Sequence, residues 1–532
     1  MRLYRRFSLP NKQSLQQWRG FLLDQLPFDL LETNPPQRYH VHYFDSFDWR
    51  CYRAGETLEW HDRGDMPCLR LRSRSDESVI ANMLLDHPPP AFPAALPRGR
   101  LRKRLRKRFG LRAMLPVTVI DVHSQYLGIA GKKPEPHVLL ILSQYRIHEP
   151  GNEAAILHRE VRIEAAPQHA NKAHKLAAHI QKTFSLNGDK QSLLDIALAR
   201  LGKTAAGYSS KLDLLLQAGL RADAAMRKIL LVLLDTMEIN EEGTIGDLDT
   251  DFLHDFRVAV RRTRTALTQM KSVMAPHTLD RFIEEFAWLG NVTTLTRDLD
   301  IYLLKFDKLK KSLPENLRDD LEPLREYLEI RQRQEQAGLA NTLRSAAYRK
   351  IKEQWRQFLT TELPRTPSGV DAAKPISDVA RRKTWRMYRR VLRQGGTITT
   401  SSSATDLHEL RKSCKKLRYL MEFFQSLYPS KKIRKLIREL KTLQDHLGDF
   451  QDLQVQIHTL SVFSEKINRT ESMQAQTRLA NDALLATLQD SATGVRSEFE
   501  LCFERFCRKL NRRQFRRLFH PADKREMNVT ET

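Results

Sequence analysis

At 532 residues the chain is longer than one compact core accommodates, so two or three domains are expected. Its 89 lysines and arginines against 64 acidic residues leave a formal charge of +25, which points to a polyanionic partner: nucleic acid, an anionic membrane or a phosphate polymer. The five cysteines, Cys51, Cys68, Cys414, Cys502 and Cys507, contain no Cys-x-x-Cys pair, which argues against a disulfide framework and a zinc site and fits a reducing compartment.

The first residues, MRLYRRFSLP, hold no apolar core of signal-peptide type, and the longest apolar stretch, ILLVLL at 229–234, is too short to cross a bilayer. A soluble, cytoplasmic protein is expected. No amphipathic helix with Trp or Phe anchors argues for a membrane surface. About the first 165 residues carry short strand-type runs such as VTVIDV (117–122) and HVLLIL (137–142), punctuated by prolines at 88–97 and 134–136, and read as mixed strand and helix. From about 170 onward apolar residues recur at three-and-four spacing, which predicts a helical bundle. Loops are expected at 241–250, 365–377 and 394–405, where Gly, Ser, Thr and Pro cluster.

The helical half repeats itself. FLHDFRVAVRRTRTAL (252–267) aligns without a gap on DLHELRKSCKKLRYLM (406–421), at the 154-residue offset that separates His254 from His408. Arg257 then faces Arg411, Arg261 and Arg262 face Lys415 and Lys416, and Arg264 faces Arg418. The same register pairs Ile283 with Ile437, Phe286 with Leu440, Leu289 with Leu443, Asp298 with Asp452 and Ile301 with Val455. This predicts a duplicated unit, two bundles related by a pseudo-twofold axis.

On a helix, His254, Arg257, Arg261 and Arg264 fall within a stripe of roughly 80°, beside a packing face of Phe252, Phe256, Val260, Thr263 and Leu267. His408, Arg411, Lys415 and Arg418 repeat the stripe beside Leu410, Cys414, Leu417 and Met421. A solvated face normally mixes signs at i,i+4, whereas these stripes stack like charges, which costs stability unless an anion is present. Arg262 and Lys416 lie off the stripe by about 80° to 100°. Metal ligation by the two histidines ranks below anion binding, because neither has a second His or carboxylate at i+3 or i+4 on its own helix. Asp298 and Asp452 are assigned to structure, as helix caps or counter-charges orienting an arginine; Arg297 and Lys441 are read as bordering the groove.

FLHDFRVAVRRTRTAL and LHELRKSCKKLRYLMEFF (407–424) resemble the two signature helices of the CHAD family, the conserved-histidine α-helical domain, and the resemblance extends over about 215–515 through RDLDIYL (297–303), RRKTWRMYRRVLR (381–393) and LKTLQDHLGDFQDL (440–453). It implies helical bundles around a basic groove that binds inorganic polyphosphate, with association with polyphosphate granules, and places His254, Arg257, Arg261, Arg262, Arg264, His408, Arg411, Lys415, Lys416 and Arg418 at that groove.

CHAD modules are commonly preceded by a CYTH domain, the triphosphate-tunnel fold, and residues 43–61, 158–180 and 202–216 resemble that family's early hairpin, late strand and helix, and closing segment. Its catalytic Glu-x-Glu-x-Lys should lie within the first ten residues, where this chain has no acid; Glu160 and Glu164 alone would make a poor divalent-metal site. The expectation is therefore an α+β, degenerate CYTH-like domain (1–210) followed by an all-α CHAD domain (211–515, repeats about 215–370 and 380–515) and a tail (516–532). It is read as a non-catalytic polyphosphate binder without cofactor or metal. Residual triphosphatase activity and nucleic-acid binding are the alternatives. The run RGRLRKRLRKRFGLR (98–112) has nine basic residues in fifteen and no acid, and reads either as a solvated arm or as an extension of the anion-binding surface, as does FCRKLNRRQFRR (506–517).

Overall fold

The computed structural model describes residues 2–64, 66–129, 137–147, 154–188, 191–274, 276–366, 369–399, 401–469 and 475–521. The proline cluster at 134–136 and tail residues 522–532 lie outside them. The chain divides into two compact units, Met1–Ser209 and Ser210–Thr532.

The first unit is built on one eight-stranded antiparallel sheet: β1 (Arg2–Ser8), β2 (Leu30–Asp45), β3 (Glu56–Asp62), β4 (Cys68–Ser73), β5 (Val79–Leu84), β6 (Leu115–Ile129), β7 (Val138–Ile147) and β8 (Ala155–Ala165), in the order β1-β8-β7-β6-β2-β3-β4-β5. Between the strands lie α1 (Leu15–Gln25), the single turn α2 (Arg50–Arg53) and α3 (Arg100–Phe109), and after them α4 (Ala170–Phe184) and α5 (Leu193–Arg200). Period-two alternation sorts the side chains. Phe7, Leu140, Leu142, Val161 and Ile163 join the core under α1 and α4, whereas Arg6, Leu139, Ile141, Glu160, Arg162 and Glu164 line an interior cavity. The helical pattern that begins near 170 therefore starts inside this unit: Ala173, Leu176 and Ile180 of α4 and Leu194 and Leu198 of α5 bury their apolar stripes on the sheet rather than in the helical bundle.

The second unit is helical: α6 (Ala222–Ile245), α7 (Thr250–Gln269), α8 (Pro276–Val292), α9 (Thr294–Lys311), α10 (Glu322–Arg344), α11 (Ala346–Thr360), α12 (Ile376–Gly395), α13 (Ala404–Phe423), α14 (Ser430–Arg469), α15 (Ala475–Ser497), α16 (Phe499–Phe506) and α17 (Lys509–Phe519). Helix starts obey the sequence register, since Ala222 and Ile376, Thr250 and Ala404, and Pro276 and Ser430 are each 154 residues apart. Arg221 and Pro375, also equivalent, pair in an isolated antiparallel bridge, with Ala222 N donating to Lys374 O and Ile376 N to Leu220 O, both at 2.9 Å. Antiparallel pairing of equivalent residues is what a local two-fold axis produces. Both repeats contribute to a single large core, in which Phe256, Val260 and Phe286 join Leu410, Leu417 and Leu440. The two bundles thus share their interior, because each amphipathic helix buries its apolar face across the axis as well as within its own repeat.

Two local features depart from the expected pattern. The loop read at 241–250 is helical up to Ile245, because the Phe252 ring packs where a Cβ on Gly243 would sit, 2.2 Å from Cδ1, and the close approach lets α6 continue past it. The 40-residue α14 corresponds to α8 and α9 joined. In the first repeat the helix is interrupted at Thr293, whose hydroxyl donates back to Leu289 O (3.2 Å) and Gly290 O (3.0 Å); the equivalent Leu447 is simply buried.

Candidate functional site

Helices α7 and α13 cross each other, and the packing faces read from the sequence, Phe252, Phe256, Val260, Thr263 and Leu267 with Leu410, Cys414, Leu417 and Met421, are all buried. That burial turns the flanking cations toward a common region. Arg261 Nε donates to the buried Tyr419 Oη of the other repeat at 2.6 Å, and the guanidinium lies within electrostatic reach of Arg411 and Lys415. Arg257 and Arg411 take equivalent places on either side. The Arg257 guanidinium, half-buried, donates to Thr293 Oγ1 at 2.6 Å in the break between α8 and α9. Its pKa is pushed down to about 10 by burial and then by Arg261.

The centre of the cluster is short of negative charge. Lys415 has no hydrogen bond or ion pair among the described residues, and burial, then Arg261, Arg411 and Arg418, push its ammonium down to about 6. Arg411 Nε is buried without a hydrogen-bond partner, and burial lowers that guanidinium too. The nearby carboxylates are Asp298 and Asp452. Burial raises Asp298, against the opposing pull of Arg257, and Asp452 is held at 2.7 Å by Lys305 of the other repeat. Both aspartates sit inside helices, so they serve as counter-charges and not as caps. A like-charge cluster of this kind, partly withdrawn from water, is costly without a compensating negative charge.

The remaining sequence-derived residues fall around this centre. His254 and Arg264 are exposed, and His408, Lys416 and Arg418 half-buried. Arg418 Nε lies 3.4 Å from Glu422, and Lys416 is lowered by burial, then by Arg390, Lys412 and Arg264. Arg262 points elsewhere: it donates to Ser210 O and to Glu422 Oε2, each at 2.8 Å. Arg297 does border the site, since it donates to Thr250 O (2.8 Å) and to His254 Nδ1 (3.3 Å); Lys441 is exposed on α14. His408 Nδ1 meets Gln451 Oε1 at 2.5 Å. Sequence reasoning passed over Gln451 and Tyr419. A signal for Gln451 existed in the repeat register, which pairs it with Arg297 at the 154-residue offset.

In the first unit, the interior cavity is lined by six arginines and four glutamates, several of which pair with one another. Arg6 bonds Glu77 and Gln191 O and lies 3.6 Å from Glu160; Arg162 is 3.2 Å from Glu160; Glu59 is held by Thr57, His61 and Arg72. Among the described residues no group of three His, Cys, Asp or Glu could hold a metal ion. Arg6 stands between Glu77 and Glu160, where a divalent ion of the triphosphate-tunnel kind would compete with its guanidinium. None of the helices is long and apolar enough to cross a membrane among the described residues.

No curated protein matches the chain. Among solved structures it is similar to the CHAD domain of Ricinus communis, at 22% identity and TM-score 0.46, over 55% of this chain and 95% of that one. It is also similar to an adenylate-cyclase-like protein of Bacillus halodurans (14% identity, TM-score 0.25, 36% and 94% of the two chains). A third is the Hippeastrum protein HpAC1, described as having a dominant triphosphatase activity (15%, TM-score 0.28, 39% and 100%). The family model for the CHAD domain matches residues 228–461, a span that includes both signature helices, and the second unit therefore carries a CHAD domain.

Proposed function

We propose that the helical unit binds inorganic polyphosphate without turning it over, through the cations that α7 and α13 bring together. The observation that carries this reading is the pairing of Arg411 and Lys415, half-buried and without a carboxylate partner of their own, with Arg261 from the other repeat. Polyphosphate offers closely spaced anionic oxygens along a chain and no bases, which suits a site made of forked guanidinium donors and a point charge. Nucleic acid ranks second, because the aromatic ring at the centre, Tyr419, is wholly buried and gives no stacking platform. The contacts of Arg6 with Glu77 and Glu160 in the first unit's cavity favour absence of triphosphatase activity; phosphate release from tripolyphosphate with magnesium or manganese would contradict that. On this reading the protein works in the cytoplasm, at polyphosphate granules.

The test is equilibrium binding of long-chain polyphosphate to the full chain and to an Arg261→Ala, Arg411→Ala, Lys415→Ala variant, at moderate salt, beside a single-stranded RNA control. With charge-assisted contacts contributing about 1.5 to 3 kcal/mol each, loss of three should weaken binding at least a hundredfold. Unchanged affinity, or equal affinity for RNA, would overturn the proposal.

A further inference from the structure

The basic run at 98–112 forms α3, and the structure sorts its charges onto separate faces. Counting about 100° per residue, Leu101, Leu105 and Phe109 fall together and are buried under the sheet; Arg104 and Arg108 adjoin them, and Arg102, Lys103, Arg106 and Lys107 span the outer side. Arg104 and Arg108 both bond the buried Glu56, Arg108 Nη2 at 3.0 Å, so that pair anchors the helix. The outer four, with Arg98, line a shallow groove together with Gly99, and none of them has a hydrogen bond or ion pair to a side chain among the described residues. Arg102 with Arg106, and Lys103 with Lys107, are like charges at i,i+4, an arrangement that costs helix stability in the absence of an anion. No aromatic, amide or hydroxyl side chain lies on that outer face.

We propose that the outer face of α3 is a second docking surface, separate from the helical site, for a phosphate polymer without bases. Four of the cations follow one another over about 7.5 Å of helix rise, and Arg98 stands two residues before the first turn, an arrangement that suits a linear polyanion. Charge is the only chemistry the face presents. It accordingly recognises phosphate density along a chain and has no means of reading a base edge or stacking on one.

The experiment uses the full chain with Arg102→Gln, Lys103→Gln, Arg106→Gln and Lys107→Gln combined, alone and in the Arg261→Ala, Arg411→Ala, Lys415→Ala background, with circular dichroism and melting as folding controls. Long-chain polyphosphate is titrated across a salt series. In the background where the helical site is silenced, residual binding is expected, and the α3 change should lower it at least tenfold. In either background the slope of log affinity against log salt should fall by roughly 3, by analogy with about 0.7 per phosphate contact on a single-stranded chain. Unchanged affinity and slope in both backgrounds would overturn the docking surface whatever becomes of the helical site. Loss of binding with the α3 change alone, while the triple change has no effect, would instead sink the helical-site reading and keep this one. Tighter binding of single-stranded RNA than of polyphosphate by the silenced background, lost with the α3 change, would make the face a nucleic-acid surface and also overturn the proposal.

Discussion

Lys415 makes polyphosphate binding pH-dependent in a way that can be worked out from its surroundings. Burial and three arginines push its ammonium down to about 6 in the empty site, so the side chain is mostly neutral at pH 7. A polyanion among the same arginines reverses the penalty and moves the group back toward the ordinary lysine value. At pH 7 a group with pKa near 6 is about 10% protonated, so complete restoration draws in roughly 0.9 proton and makes log affinity fall by about 0.9 per pH unit from this residue alone. The direction follows from which state holds more protons: the complex does, so affinity rises as pH falls from about 10 and levels off below about 6. Isothermal titration in two buffers of unlike ionisation enthalpy measures the uptake directly. Lys415→Arg is the control, because arginine stays charged throughout and should abolish this proton. Uptake near zero at pH 7 in the wild-type protein, or equal uptake in Lys415→Arg, would refute the reasoning.

Three further changes separate binding from scaffold. Asp452→Asn removes a carboxylate beside Arg411 and Lys415, so polyphosphate should bind about fivefold tighter, roughly 1 kcal/mol for a partly screened charge, with a steeper salt dependence in the same titration. Arg262→Met breaks the pair with Glu422 and should cost about 2 kcal/mol of stability, seen as a lower melting temperature, while polyphosphate affinity stays within twofold. Gly243→Ala forces a methyl into the Phe252 ring and should destabilise the helical unit by about 1 to 3 kcal/mol in urea unfolding, again with binding by the folded fraction unchanged.

Much of the helical unit was legible because duplication leaves a register that can be counted. The offset between His254 and His408 recurs between the starts of α6 and α12 and of α7 and α13, and the apolar positions flanking the stripes are the buried ones. Periodicity says which residues share a face. It is silent on what that face meets, so the bonds from Arg261 to Tyr419 and from Arg262 to Glu422, across 158 and 160 residues, could not be read. Periodicity alone does not separate α4 and α5 from the bundle helices, since an amphipathic stripe looks alike whether it covers strands or helices; the resemblance over 158–180 is what assigns α4 to the first domain. In α3 seven like charges are legible; only the position of Glu56 divides them into anchors and an outer face.

Duplication also suggests two equal halves, and the hydrogen bonds around the histidines make them unequal. Arg297 can only donate, so His254 Nδ1 must accept from it, and the neutral ring carries its proton on Nε2. The equivalent of Arg297 is Gln451, whose oxygen faces His408 Nδ1, so there the neutral ring keeps its proton on Nδ1. Protonating His254 means giving up the Arg297 bond and adding a charge beside a guanidinium. One substitution between the repeats, arginine for glutamine 43 residues ahead of the histidine, thus assigns the neutral ring's donor to opposite nitrogens.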